Sequence, residues 1–533
     1  MQVTINGRPV SVEAGASVLD AARCLGIEIP TLCHLRGEKP ITSCMICVVK
    51  DQETGRLIPS CSAPARDGMV VETDSAEVRE VRRKMLDLLL SEHVGDCEAP
   101  CLTTCPARMD IPLMIRQIAA GQLKQAYETV TEMIALPAVL GRICPAPCEK
   151  ACRRGQHDKP ISICLLKRFV ADVALKVDAD LRAALDATVS TPDANRARRS
   201  RSTLSLDSTG LSTANRIAII GAGPAGLAAA FYLARAGHAC TVFDEREEPG
   251  GQLRYGVSRE KLPTDVLDRE IGVIRRIGVE FRMKSRIEPG AGLQLLKGEF
   301  DGIVLAPGKL ADAQRLAWGV ASEGRGVKVE AGTFRTSDPV VFAGGDVVYP
   351  GQMAVRAVAH GKSIACAIDQ WLNGKPVVGV ERPFESRLGQ LHEGEVDQMM
   401  VGVDPGARVE PVGAGFTSEQ AVQESRRCLR CDCRKARQCK LRDLAQEYGA
   451  SQKSFRANAR AEFTRIGSSV IYEPGKCIKC GICVRLSGLT FLGRGYETVV
   501  GVPFGDSLES ALGSAAADCV RECPTGALAW EEA

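Results

Sequence analysis

The chain has 533 residues, 45% of them hydrophobic, and a formal net charge of +3. This length predicts roughly three to five domains with buried cores. A charge so close to zero argues against a nucleic-acid or membrane-surface partner. The opening residues, MQVTINGRPVSVEAG, have neither the basic nor the apolar region of a secretory signal, so we expect a cytoplasmic protein.

Cysteine is the most informative residue type in this composition. The chain has 23 cysteines. In a reducing compartment such thiols serve as cofactor ligands far more often than as disulfides. The spacing of these cysteines therefore guides the prediction of domains and sites, within a multidomain architecture of α+β and α/β parts.

Residues 1–80 begin with a predicted hairpin, since apolar positions alternate on both sides of Asn6-Gly7. A C-x10-C-x2-C-x13-C pattern follows, made by Cys33, Cys44, Cys47 and Cys61. Thiolates at such spacing suit an iron-sulfur cluster, and a zinc ribbon is the alternative. The pattern resembles the β-grasp [2Fe-2S] domain of the large iron-sulfur subunit of complex I and of [FeFe] hydrogenases, which implies one [2Fe-2S] cluster here.

Residues 81–176 have helical periodicity and carry two cysteine runs. The runs are Cys97, Cys101, Cys105 and then Cys144, Cys148, Cys152. They resemble the helical domain of glutamate synthase small subunit and dihydropyrimidine dehydrogenase, which holds two [4Fe-4S] clusters. The resemblance implies that Cys97 and Cys101 join Cys152 at one cluster, and that Cys105, Cys144 and Cys148 serve the other.

Each of these two clusters then lacks one ligand. His93 stands four residues before Cys97, as in the H-x3-C of the complex I subunit, and is either a ligand or a helix-surface histidine. Cys164 lies near the position where relatives of the helical domain use a Gln or Glu ligand. It is either the missing ligand or a buried free thiol.

Residues 177–214 are rich in Ser, Thr and Arg, which predicts a linker. Residues 215–375 then open with a β-branched run and the glycines Gly221, Gly223 and Gly226, followed by Asp244. This order predicts a strand, a tight turn and a helix N-terminus that bind a dinucleotide pyrophosphate, with the acidic residue on a ribose. The fingerprint alone does not choose between NAD and FAD.

Two further segments favour FAD. GGQLRYG at residues 250–256 and FAGGDV at residues 342–347 resemble the flavin-binding segments of the glutamate synthase small-subunit family. The resemblance implies a Rossmann-like FAD domain and the following cofactor-binding residues: Gly221, Gly223, Pro224, Ala225, Gly226, Asp244, Gly251, Gln252, Leu253, Arg254, Gly308, Gly345 and Asp346.

The NAD(P)H-binding insertion of that family is missing from the sequence. Only 36 residues separate Gly308 from Gly345. No second strand-GxGxxG-helix pattern occurs in the chain. We therefore predict an FAD domain without a nicotinamide domain.

The remaining cysteine motifs lie near the C-terminus. Residues 376–445 read as a loop-rich arm in which Cys428, Cys431, Cys433 and Cys439 predict one compact site, [4Fe-4S] in preference to zinc. Residues 446–533 resemble the two-cluster ferredoxin segment of complex I and hydrogenase subunits. Ser487, Gly513 and Ala516 replace three of its cysteines, so one [4Fe-4S] cluster is expected, with these ligands: Cys477, Cys480, Cys483 and Cys523.

The expected cofactors are thus one FAD, one [2Fe-2S] cluster and about four [4Fe-4S] clusters. Nothing in the sequence indicates a substrate-activating catalytic residue. The combined resemblance implies an electron-transfer subunit of a formate dehydrogenase, hydrogenase or aldehyde oxidoreductase complex, working with ferredoxin or an NAD(H)-binding subunit. Two alternatives stay open: a self-contained NAD(P)H-dependent oxidoreductase, and an assembly protein without redox activity.

Overall fold

The computed structural model describes residues 1–186, 215–413, 415–455 and 463–531. The chain folds into two compact units, each assembled from separate segments. Unit I comprises Met1–Ala99, Arg382–Val403 and Leu429–Ala533, and unit II comprises Pro100–Glu381 and Asp404–Cys428. The predicted helical domain, residues 81–176, and the predicted arm, residues 376–445, each contribute to both units.

Helices and short strands alternate along the chain. The helices are α1 (Val18–Cys24), α2 (Ala76–Ser91), α3 (Pro100–Thr104), α4 (Ile111–Ala119), α5 (Leu123–Met133), α6 (Pro137–Ile143), α7 (Pro147–Lys150), α8 (Ile163–Asp186), α9 (Pro224–Arg235), α10 (Gln252–Tyr255), α11 (Thr264–Arg276), α12 (Ala291–Glu299), α13 (Asp312–Leu316), α14 (Ala354–Leu372), α15 (Glu395–Met400), α16 (Ser418–Arg426), α17 (Lys440–Tyr448), α18 (Ile482–Leu486), α19 (Leu508–Leu512) and α20 (Ala516–Glu522). The strands are β1 (Gln2–Ile5), β2 (Arg8–Ser11), β3 (Val48–Asp51), β4 (Leu57–Pro59), β5 (Val70–Glu72), β6 (Arg216–Ile220), β7 (Ala239–Phe243), β8 (Glu280–Arg282), β9 (Gly302–Leu305), β10 (Ser322–Glu323), β11 (Gly326–Val327), β12 (Val341–Ala343), β13 (Val470–Tyr472), β14 (Thr490–Leu492), β15 (Val499–Gly501) and β16 (Leu528–Trp530).

The predicted N-terminal hairpin is confirmed. Strands β1 and β2 pair antiparallel, and Asn6 and Gly7 between them have φ of 49° and 75°, the left-handed values that a tight hairpin turn requires. The hairpin belongs to a five-stranded mixed sheet of order β2-β1-β5-β3-β4. Val18 and Leu19 of α1 are buried in the same core cluster as Val3 and Ile5 of β1. This sheet and helix carry the first cysteine loop.

Helices α2 and α17 pack together in unit I around one core cluster that contains Leu86, Leu90, Leu441 and Cys439. Arg82 of α2 reinforces the contact, because its guanidinium donates to the Tyr448 hydroxyl of α17 at 3.0 Å. Both helices border cysteine segments: α2 ends just before His93, and α17 begins just after Cys439.

Unit II contains a parallel five-stranded sheet of order β12-β9-β6-β7-β8. Helix α9 follows β6, and α14 packs closely on it. A Cβ on Gly361 of α14 would lie 2.4 Å from the Ala225 carbonyl, so only glycine permits this approach.

The uncharged run from Ile217 to Ala234 is divided between a buried strand and a buried helix. Across the described ranges, no helix has the length and apolar character needed to cross a bilayer.

The helix before the predicted linker is longer than expected. Helix α8 continues to Asp186, so residues 177–186 are helical rather than irregular. The Ser, Thr and Arg content that suggested a linker from residue 177 is concentrated after residue 186. Residues 187–214 lie outside the part of the chain that the structure describes.

Candidate functional sites

The turn before α9 has the tight glycine packing that the predicted fingerprint requires. Gly221, with φ of 106°, would place a Cβ 2.2 Å from the Ala306 carbonyl, and Gly226 would place one 1.9 Å from the Gly221 carbonyl. Gly223 is different, because a Cβ there would meet nothing within 4 Å. The first and third glycines are thus required for packing, whereas the second leaves open space at the helix N-terminus, where a pyrophosphate binds in this motif.

Two further predicted segments converge on this turn. Gly250 donates its amide to the Ala222 carbonyl at 2.9 Å, and a Cβ on Gly251 would lie 2.7 Å from the Gly223 Cα. Gly345 lies against Ala225, since its Cβ would come within 3.0 Å of the Ala225 Cβ. The segments predicted to bind one cofactor therefore meet at one helix end.

Asp244, at the end of β7, also faces the glycine turn. Its carboxylate accepts from the Ala222 amide at 2.7 Å and from the Arg246 amide at 2.8 Å. These bonds fix the side chain at the position where the fold places a ribose. Near Asp346, the buried Gln352 Oε1 has no hydrogen-bond partner within the described ranges. Buried polar atoms normally have a hydrogen-bond partner, and a bound polar cofactor could supply one here.

Five other predicted cofactor residues have mainly structural contacts here. Leu253 is buried, and the Gln252 carbonyl accepts the Gly256 amide at 2.9 Å. The Arg254 guanidinium donates to the Pro249 carbonyl at 2.7 Å and pairs with Asp268. Gly308 has φ of 88° just after β9. Pro224 occupies the first turn of α9, where it needs no amide hydrogen.

The connection from β9 to β12 is short and fully described. It contains only α13 and the β10-β11 hairpin, whose strands have two residues each. Residues 306–340 therefore hold no second nucleotide-binding unit, which agrees with the absence predicted from the sequence.

The four cysteines of the N-terminal loop form two thiol pairs and are all buried. A hydrogen bond from Cys44 lowers the pKa of Cys33 to about 5, and one from Cys61 lowers the pKa of Cys47 to about 7. Cys33 also acts electrostatically on Cys47 and Cys61, so the two pairs are neighbours. This arrangement offers two thiols to each of two iron atoms.

A second thiol group lies in unit II, where α6 and α7 meet α8. Cys164 hydrogen-bonds with Cys144 and Cys148. Burial alone would lower the pKa of the Lys167 ammonium, but the surrounding thiols raise it; they belong to Cys164, Cys144, Cys148 and Cys105. The structure therefore brings the predicted trio together with Cys164, the residue whose role the sequence left open.

Three other cysteines of unit II, Cys101, Cys152 and Cys428, pack against the core of that unit. The segment of Cys428 is anchored near Cys152, because the Arg154 guanidinium donates to the Arg427 carbonyl at 3.0 Å and Arg427 donates to Asp158 at 2.8 Å. Cys431, three residues beyond Cys428, packs in unit I against a separate core cluster.

A third thiol group lies in unit I and joins residues far apart along the chain. The Cys433 amide donates to the Cys97 carbonyl at 3.2 Å. Burial raises the pKa of Cys439, and the nearby thiols of Cys433 and Cys97 raise it further. A Cβ on Gly526 would lie 2.2 Å from the Cys433 Sγ, so the thiol fills the space that a glycine leaves. Cys97, Cys433 and Cys439 are therefore close neighbours, a grouping that differs from both sequence-based assignments of these residues.

His93 borders the same group. Its Nδ1 atom is buried and has no hydrogen-bond partner in the described part of the chain. Burial, with the Lys476 ammonium beside it, lowers the pKa of His93 to about 4, which leaves the imidazole neutral, the form that binds metals. The Lys476 ammonium also interacts electrostatically with the Cys433 thiol, so His93 and Cys433 have Lys476 as a common neighbour. His93 is thus not a helix-surface residue.

The C-terminal cysteines form a fourth group. Cys477, Cys480, Cys483 and Cys523 line one apolar cavity, together with Tyr472 and Thr525. Cys519 is fully buried and acts with Ser487, which stands at one of the replaced cysteine positions. The quartet predicted to survive is therefore together, whereas Cys519 does not line this cavity and donates its thiol to the Cys483 carbonyl at 4.0 Å.

Sequence reasoning missed one backbone feature of these cysteine loops. In four loops a residue other than glycine has a left-handed φ near 50°: Met45, Ala146, Arg430 and Lys479. Such strain is rare outside functional loops, and it turns backbone amides toward the thiols, as the Lys479 amide does toward the Cys477 Sγ at 3.4 Å.

No group of three or more His, Cys, Asp or Glu side chains within the described ranges converges tightly enough to hold a single metal ion. Cluster ligands are arranged differently, since each thiolate of a cubane binds a different iron atom.

Three family profiles match separate parts of the chain. Residues 1–76 match the 2Fe-2S iron-sulfur cluster binding domain, residues 89–179 match the dihydropyrimidine dehydrogenase domain II with a 4Fe-4S cluster, and residues 219–275 match the NAD(P)-binding Rossmann-like domain.

Curated relatives match about two fifths of the chain. The NADP(+)-dependent formate dehydrogenase subunit beta of Moorella thermoacetica is 36% identical over 228 residues, 43% of this chain and 31% of that protein. The NADPH-Fe(3+) oxidoreductase subunit beta of Geobacter sulfurreducens is 33% identical over 43% of this chain and 30% of its own length. The NAD-dependent dihydropyrimidine dehydrogenase subunit PreT of Escherichia coli (strain K12) is 33% identical over 43% of this chain and 51% of its own length.

The match thus spans a third to a half of each of these relatives. The predicted resemblance is confirmed at the level of domains: the chain combines a 2Fe-2S domain, a dihydropyrimidine dehydrogenase-type 4Fe-4S domain and a Rossmann-like dinucleotide-binding domain.

Proposed function

We propose that the chain is an FAD- and iron-sulfur-containing electron-transfer subunit of a multi-subunit redox complex. It relays electrons between a catalytic partner and ferredoxin or a separate NAD(H)-binding subunit. The observation that carries this proposal is a glycine turn of the dinucleotide-binding type whose sheet closes from β9 to β12 without a further nucleotide-binding unit, together with four groups of cysteines within the described residues.

The cofactor assigned to the α9 turn is FAD. Convergence of the segments around Gly251 and Gly345 on the turn at Gly223 supports this choice, because those two segments resemble flavin-binding segments. Gly223 leaves room for the pyrophosphate, Asp244 faces the ribose, and the free Gln352 Oε1 accepts a hydrogen bond from the cofactor. A flavin exchanges electrons singly or in pairs, whereas each cluster passes one at a time.

The ligand sets follow the thiol groups. The [2Fe-2S] cluster takes Cys33, Cys44, Cys47 and Cys61. One [4Fe-4S] cluster of unit II takes Cys105, Cys144, Cys148 and Cys164, and Cys101, Cys152 and Cys428 belong to a second. In unit I, His93, Cys97, Cys433 and Cys439 bind one [4Fe-4S] cluster, and Cys477, Cys480, Cys483 and Cys523 bind the other. This revises the expected partners of Cys97, Cys428, Cys433 and Cys439, leaves Cys431 outside these ligand sets, and keeps the number of clusters.

Contacts within unit I support a continuous relay. The Arg485 guanidinium, on the helix that follows Cys480, donates to the Cys33 carbonyl at 3.0 Å. The Lys435 ammonium, between Cys433 and Cys439, donates to the Cys523 carbonyl at 2.6 Å. These contacts link the group of Cys33 to that of Cys480, and the group of Cys523 to that of Cys433. The three cysteine groups of unit I are therefore neighbours in space, as single-electron transfer between clusters requires.

The names of the relatives suggest the catalytic partner. A formate dehydrogenase subunit and an Fe(3+) oxidoreductase subunit are both similar to this chain, and the sequence resemblance extends to hydrogenase and aldehyde oxidoreductase complexes. We therefore propose a partner of this class.

Cofactor analysis tests the proposal. Protein purified and reconstituted without oxygen is expected to contain one FAD and about 18 iron atoms per chain. FAD is identified after acid release, and iron by colorimetry. About ten iron atoms or fewer, or no bound FAD, would contradict the proposal.

A self-contained NAD(P)H oxidoreductase is the second candidate. The match to an NAD(P)-binding Rossmann-like profile favours it. In that case nicotinamide reaches the flavin without a dedicated domain, and the isolated chain reduces a viologen dye with NADH or NADPH.

A further inference from the structure

Lys167 has an unusual environment for a lysine. It lies in the second turn of α8 and is only 4% exposed. Taking an ammonium out of water is unfavourable unless neighbouring groups stabilise it. The structure therefore has to supply that stabilisation from nearby groups.

The groups that face Lys167 are thiols. Its Nζ donates to the Cys164 Sγ at 3.9 Å, and the other charged neighbours acting on it are Cys144, Cys148 and Cys105. The nearby Glu149 is engaged elsewhere, because its carboxylate accepts from the Cys164 amide at 2.9 Å and from Arg408 at 3.1 Å.

Packing fixes this position. Helix α6, which precedes Cys144, lies directly on α8: a Cβ on Gly141 would come within 2.7 Å of the Arg168 Cβ. Arg142 of α6 pairs with Asp172 of α8 at 2.8 Å. The segment that leads into Cys144 is thus tied at two points to the helix that carries Cys164 and Lys167, which holds Cys144 beside the ammonium.

On the basis of the proposed function, we propose that Lys167 sets the reduction potential of the [4Fe-4S] cluster bound by Cys105, Cys144, Cys148 and Cys164. A cluster that takes up one electron gains one negative charge. A buried cation beside its thiolates stabilises that reduced form, since Coulomb interactions are strong where water is excluded. Lys167 therefore raises the potential and makes this cluster a favoured electron acceptor.

The experiment is an EPR-monitored redox titration of the reconstituted full chain. Lys167→Met is expected to lower the midpoint potential of one cluster, and Lys167→Arg to keep it near the wild-type value. Lys176→Met is the matched control, because Lys176 is exposed on the same helix. The signal is assigned to this cluster by its loss in Cys144→Ser.

An unchanged midpoint in Lys167→Met, with the cluster present, overturns the inference. If Lys167→Met assembles no cluster, Lys167→Arg decides: a wild-type potential supports the role of charge, and loss of the cluster there as well shows a packing role and overturns it. Wild-type protein that shows no signal dependent on Cys144 would instead refute the proposed cluster itself.

Discussion

The two units each bury a lysine beside a thiol group, but the two lysines have different partners. In unit II, Lys167 donates to a thiol, Cys164. In unit I, Lys476 lies by Cys433 and forms an ion pair with Glu473 at 2.5 Å. Although burial raises it, Lys476, Arg465 and Arg434 hold the pKa of Glu473 below its usual value.

With the proposed ligand sets, this difference lets the protein adjust the potentials of the two clusters separately. A buried ammonium without a carboxylate partner exerts its full field on nearby thiolates, whereas an ion pair acts mainly as a dipole. We therefore expect Lys167 to influence its cluster more strongly than the Lys476-Glu473 pair influences the other. The following substitutions test the two ligand groups and then this contrast.

The largest effect is expected from Cys433→Ser in unit I. Serine is a poor ligand for iron, so the chain should lose up to about four iron atoms. Cys519→Ser is the control, because Cys519 is buried beside Cys483 but does not line the cavity of the C-terminal quartet, so the iron content should stay unchanged. Equal iron contents in Cys433→Ser and wild type would exclude Cys433 from the ligands.

Cys164→Ser should affect one cluster of unit II. Because three cysteine ligands remain, the cluster either loses one iron or is lost, and the EPR spectrum changes in both cases. Cys366→Ser serves as the control, since the Cys366 thiol donates to the Gly379 carbonyl at 3.3 Å, away from the thiol groups. An unaltered spectrum and iron content in Cys164→Ser would show that Cys164 is only a buried thiol.

Gly526→Ala tests the unit I group without changing a ligand. The new Cβ would lie 2.2 Å from the Cys433 Sγ, so the thiol has to rotate away. We expect partial loss of the same cluster that Cys433→Ser removes. Gly298→Ala, where a Cβ meets nothing within 4 Å, should keep all clusters. A complete set of clusters in Gly526→Ala would contradict the position assigned to Cys433.

The smallest effect is expected from the double variant Lys476→Met with Glu473→Gln. It removes one positive and one negative charge, so the midpoint potential of the unit I cluster should shift less than that of the unit II cluster in Lys167→Met. The two redox titrations are run under the same conditions. A larger shift in the double variant would reverse the comparison.

Local features were predictable from the sequence. The Asn6-Gly7 hairpin, the turn at Gly221 and Gly223, and the C-terminal quartet each depend on residues near one another in the chain or on a strict motif. The structure has all three. The short β9 to β12 connection was also predictable, because a missing domain is visible as a missing length of chain.

The grouping of the other cysteines was not predictable from spacing. Cys428, Cys431, Cys433 and Cys439 are close in sequence, and this closeness suggested one site. In the structure, Cys433 and Cys439 neighbour Cys97, while Cys428 packs in unit II. Such long-range contacts depend on how segments return to a unit after an insertion, and one sequence contains no local signal for them.

The burial of the His93 Nδ1 atom and of the Lys167 side chain was likewise not predictable from the sequence. Both are residues that usually face solvent, and only their packing shows otherwise. A buried polar side chain next to thiols is therefore the structural signal that extends the sequence-based ligand sets.

The most direct test of the proposed relay is anaerobic mixing of the reconstituted chain with NADH and then NADPH, followed by absorbance of the flavin and clusters. We expect no bleaching by either nicotinamide, and full bleaching by dithionite or reduced ferredoxin. Rapid bleaching by NADH or NADPH alone would contradict this account, because it would show that nicotinamide reaches the flavin without another subunit.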